Sequence, residues 1–163
     1  MKLLIHHETA TKPRPNTPPP HTPMATMTER TVLSLLRSLG ATAPVDLGSA
    51  IRVAIKQAAL LRHQVTGGQF RSLDALAAAT AVSIHAHGQM PVPAVAFIGR
   101  GQWQIHVADS LTPNEQLLAA ARELKFVIDH NSTHSHQPGE LSDAEREYVA
   151  ACFAELLLDG REP

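Results

Sequence analysis

The stretch that most constrains this chain is TPNEQLLAAARELKFVIDH, residues 112–130, because it spells out both the start of a helix and the face that helix must bury. Thr112 is placed to cap the first turn, Pro113 fits the first helical position where no N–H is needed, and Glu115 completes a capping box three residues after the cap. Leu117, Ala120, Ala121, Leu124, Val127 and Ile128 then recur at three- and four-residue spacing, which predicts one apolar face turned to a core. Leu118, Arg122 and Phe126 follow one another by a turn on a neighbouring face, with Glu123 beside Arg122. A second helix is predicted over residues 142–158, SDAEREYVAACFAELLL, again opened by a capping box, Ser142 with Glu145. Its stripe of Glu147, Ala150, Ala151, Ala154 and Leu158 sets a carboxylate in line with small side chains, which let two helices approach closely.

The run from Arg122 to Phe126 resembles a degenerate His-Glu-x-x-His motif. In that motif two histidines one helical turn apart share a metal, and the glutamate between them acts on metal-bound water. Here Glu123 stands at the general-base position, while Arg122 and Phe126 stand where the histidines would be. With the second segment, Glu147 followed by Ala150, Phe153, Ala154, Leu157 and Leu158, the layout of residues 70–158 resembles the ImmA/IrrE family of zinc metallopeptidase-like proteins. The resemblance implies that Glu147 matches the third metal ligand and that His130 matches a position where the family often carries another histidine. It implies a zincin-like α+β fold, and a cytoplasmic regulatory protein whose active relatives act on helix-turn-helix repressors.

The letters that carry chemistry argue against a metal. Guanidinium stays protonated and brings its own positive charge, and a phenyl ring offers no lone pair and fills space an ion needs. With the cation gone, a buried Glu147 would lack a partner, so an Arg122–Glu147 ion pair is expected to bridge the two helices, with Phe126 closing the cavity. This predicts an inactive pseudo-metallopeptidase with no cofactor, Glu123 being a vestigial base, acting through a protein partner such as a helix-turn-helix regulator. An active zinc peptidase using Glu123, Glu147, His130 and His134, and a helical oligomerisation module, are the alternatives.

Residues 1–26 hold Pro13, Pro15, Pro18, Pro19, Pro20 and Pro23 and little to bury, so they read as a disordered arm, with Met24 or Met27 an alternative start of translation. An N-terminal helical segment, 27–66, follows. One helix covers Thr28–Leu39 and stops at Gly40. A second is capped by Asp46 and runs to about Val65, with Leu47, Ile51, Ala54, Ile55, Ala58 and Leu61 on its apolar side. Arg52, Lys56 and His63 on its other side read as a solvated face rather than a nucleic-acid surface, given a formal charge of −1. The third segment, 67–163, is the metallopeptidase-like domain. In it Ser72 caps a helix over Leu73–Ala81, and three strands, Val82–His87, Val92–Ile98 and Gln102–Ala108, form a small, largely antiparallel sheet, the last two joined by a tight reversal at Gly99–Gly101.

Of ten histidines, His85, His87 and His106 are expected to share a sheet face in ordinary polar packing, and His130, His134 and His136 to be surface groups beside Asp129. The single cysteine, Cys152, reads as a small buried hydrophobe in a reducing compartment. With no stretch near the roughly 20 apolar residues of a membrane span, the expectation is a cytoplasmic protein without a membrane partner.

Overall fold

A computed structural model of the chain describes residues 27–40, 46–130 and 141–159. The proline-rich arm, the Pro44 linker, and the loop bearing His134 and His136 lie outside them. The architecture is α+β: helices α1 (Met27–Leu39), α2 (Leu47–Arg62) and α3 (Leu73–Thr80), strands β1 (Ser83–His87), β2 (Ala94–Gly99) and β3 (Gln102–Ala108), then α4 (Pro113–Asp129) and α5 (Asp143–Asp159). No helix among the described residues is long and apolar enough to cross a membrane.

The helix starts follow from local chemistry. Asp46 caps α2 by accepting from the Ser49 N–H at 2.7 Å, and Ser72 caps α3 through the Ala75 N–H. Thr112 and Glu115 exchange the two bonds of a capping box at α4, as Ser142 and Glu145 do at α5. α2 ends at Arg62, three residues before the expected limit at Val65.

The sheet is mixed rather than largely antiparallel. Its order is β1-β3-β2, with β3 in the centre, antiparallel to β2 but parallel to β1, so that Ile84 pairs with Ile105 and His85 with His106. The physical reason is the connection over residues 88–93, which carries β2 past the central position. A two-residue reversal then drops β3 into the gap between β1 and β2. Arg100 and Gly101 both adopt positive φ, 53° and 77°, matching the twist of a tight hairpin. Alternation along a strand reports which side chains share a face, but it carries no information about pairing direction.

Ile84, Ile105 and Val107 point to the buried face, where α4 packs on β2 and β3. α5 packs on the far side of α4 and against α2. Ala50, Ala54 and Ala58 on α2, with Ala150 and Ala154 on α5, are all buried, and their small side chains allow close approach of the two helices. One apolar cluster therefore runs from Leu36 on α1 through Leu124 on α4 to Phe153 and Leu157 on α5. Polar ties reinforce it: Gln57 donates to the Leu36 carbonyl at 2.9 Å, and Arg37 donates to the Val127 carbonyl at 3.0 Å in the last turn of α4. A cation at a helix C-terminus is favoured by the helix dipole.

Candidate functional site

β2 is an edge strand. The two-residue reversal, and the Ala108 N–H bonding the Pro93 carbonyl at 2.9 Å, put Val95, Phe97 and Gly99 in hydrogen-bonded pairs with β3. The N–H and C=O groups of Ala94, Ala96 and Ile98 therefore face the open edge. Glu123 answers one of them, its Oε2 accepting the Ala96 N–H at 3.0 Å. Burial pushes the Glu123 carboxyl above the ordinary glutamate range; the Ala96 N–H pulls it down, and the negative charge of Glu147 on α5 pushes it up again. Glu123 thus lies among three elements: its own helix, the sheet edge and α5.

Arg122 and Glu147 are exposed and Phe126 is half-buried. The expected Arg122–Glu147 ion pair is not formed; among the described residues the ion pair at or under 4.0 Å is Lys125 with Asp129. The reason is solvation. Glu147 is not the buried, unpaired carboxylate that would have required a compensating cation, so neither side chain loses its water to make the bond. The carboxylate that is partly buried is Glu123, and a backbone N–H satisfies it.

Sequence reasoning missed Lys125, which sits in the interior of the motif at 3% exposure. Its ammonium donates to both carboxylate oxygens of Asp129 one turn on, at 2.7 Å to Oδ1. Burial lowers the Lys125 pKa, and Asp129 opposes the shift. Asp129, next to the first of the loop histidines, is this lysine's partner. His130, the proposed alternative ligand, ends α4 with its ring edge-on to Trp103 on β3, centroids 4.7 Å apart. Pro91 and Pro93 leading into β2 were the signal for an edge strand, since proline cannot donate to a central ladder.

On the opposite face of the sheet the three strand histidines do gather. His87 stacks on His106 with centroids 5.2 Å apart and planes 11° off parallel, while His85 and Phe97 meet the His106 ring edge-on at 6.1 and 4.8 Å. Partial burial and the two neighbouring imidazoles lower the His106 pKa, favouring its neutral form. Cys152 is half-buried on α5 rather than fully buried.

Comparison with known protein families, curated proteins and solved structures finds no match.

Proposed function

We propose that this chain is a pseudo-metallopeptidase of zincin-like, ImmA/IrrE-type architecture, a regulatory protein-binding factor that receives an extended segment of a partner along β2 without cutting it. The observation that carries this reading is the Ala96 N–H bonded to Glu123 at 3.0 Å. A general base in a metallopeptidase has to be free to take a proton from metal-bound water. Here the carboxylate is committed to the backbone of the edge strand, with a guanidinium and a phenyl ring at the two motif positions on either side. The edge itself supports binding. The outward groups that Glu123 leaves free, the Ala94 and Ile98 N–H and the outward carbonyls, are what an added strand pairs with, and Val95 and Ile98, 40% and 56% exposed, give apolar contacts on alternate faces. The family resemblance points to a helix-turn-helix regulator as the partner, in a cytoplasmic setting.

The test uses zinc-supplemented, untagged full-length protein and a library of unstructured peptides, with cleavage followed by mass spectrometry and binding by backbone amide shifts. The reading expects peptides that shift the Ala94, Ala96 and Ile98 amides and emerge intact. Cleavage that disappears in Glu123→Gln would instead establish the active peptidase.

A further inference from the structure

We propose that the outer face of the sheet is a metal site, in which His85, His87 and His106 bind one divalent ion of the borderline class that imidazole prefers, typified by zinc. It does not depend on the reading of the α4–α5 side, since the outer histidines face away from the helix layer.

The sequence places the three ligands by two simple rules. Residues two apart on a strand share a face, so His85 and His87 both project outward from β1. The parallel register then sets His106 on β3 directly beside His85, one strand spacing away. A zinc–nitrogen bond is about 2.0–2.1 Å, so two imidazoles on one tetrahedral ion have ring centroids on the order of 5 Å apart. The observed separation from His106 to His87, 5.2 Å, already matches that spacing, and the separation to His85, 6.1 Å, is longer, so the His85 ring has to move inward.

What remains is rotation. In the present rotamers the rings stack instead of converging, and no set of three histidine, cysteine, aspartate or glutamate groups among the described residues is arranged around a point for an ion. His85 and His87 are exposed, so their rings turn without disturbing the core. His106 is the less exposed member, and Phe97 packs edge-on against it. In the present rotamer the His87 Nδ1 lies 3.0 Å from the Gly88 carbonyl oxygen, a contact that requires the proton on Nδ1 and leaves the Nε2 lone pair available. The other outward positions of the strands, Ser83, Val95, Phe97 and Gln104, bring no lysine or arginine to repel a cation. Two of the three ligands face solvent, so water completes the coordination.

The experiment titrates chelator-stripped, untagged full-length protein with zinc against a chromophoric competitor, and follows the histidine ring resonances by NMR. One zinc is expected to bind with shifts at His85, His87 and His106. His85→Gln and His87→Gln, made separately at exposed positions and checked by circular dichroism, are each expected to weaken binding about tenfold or more. Absence of zinc binding overturns the proposal. So does an affinity unchanged within about twofold in both variants, which would assign the ion to other histidines such as His130 or His134.

Discussion

The two sides of the sheet hold their polar groups in opposite ways. On the helix side Glu123 accepts from Ala96, Lys125 is paired with Asp129, and Arg37 donates through one guanidinium nitrogen to Val127. On the outer side three imidazoles lean on one another and on Phe97, and His87 also bonds the neighbouring Gly88 carbonyl. Burial explains the difference. A group removed from water needs a protein partner, and once it has one it is committed to a single geometry. An exposed group keeps its freedom and can rearrange around a ligand. The tied side is suited to presenting a fixed edge to a partner chain, the free side to gathering around an ion.

The sharpest way to break this contrast is at Asp129. Asp129→Ala leaves a buried ammonium without its carboxylate and is expected to cost about 3 kcal/mol, whereas Lys125→Met, which removes the buried charge and keeps the volume, should change stability by less than about 1 kcal/mol. Urea denaturation of both variants checks this; equal costs would mean that the pair is not held as tightly as its burial implies.

A smaller effect is expected at Glu123. Glu123→Ala leaves the Ala96 N–H without its acceptor and should cost about 1–2 kcal/mol, while Glu123→Gln keeps an acceptor oxygen and should be neutral or stabilising at pH 7. The pH dependence has a definite sign. Because folding raises the Glu123 pKa, its contribution is fully present below the ordinary value of 4.5 and is lost as pH rises through the raised value, so stability falls across that interval. Denaturation midpoints measured across it should fall less steeply in Glu123→Gln than in the parent chain.

Much of the fold was legible because its causes are local. The Thr112–Glu115 and Ser142–Glu145 capping boxes close within three residues, and the buried face of α4 recurs every turn, so both were readable from the letters alone. The alternation of Trp103, Ile105 and Val107 likewise identified the inner face of β3. What the letters withheld depends on distance along the chain. The pairing of β1 with β3 is decided by where the intervening strand goes, and the bond from Ala96 to Glu123 joins residues 27 apart. Lys125 was hidden for another reason: a charge in a helix is expected outside, and only its pairing with Asp129 makes the buried position tolerable. The strand histidines were half readable. Spacing put His85 and His87 on one face, while the register that brings His106 to them exists only in the sheet.

The most direct test writes the ligand letters of the resembled motif into the chain. In a background carrying His85→Gln and His87→Gln, Arg122→His with Phe126→His is expected to create a new zinc site on the α4–α5 side that Glu147→Ala abolishes, measured by zinc titration. Zinc bound on that side with Arg122 and Phe126 still in place, and lost on Glu147→Ala, would contradict the proposed metal-free pseudo-metallopeptidase.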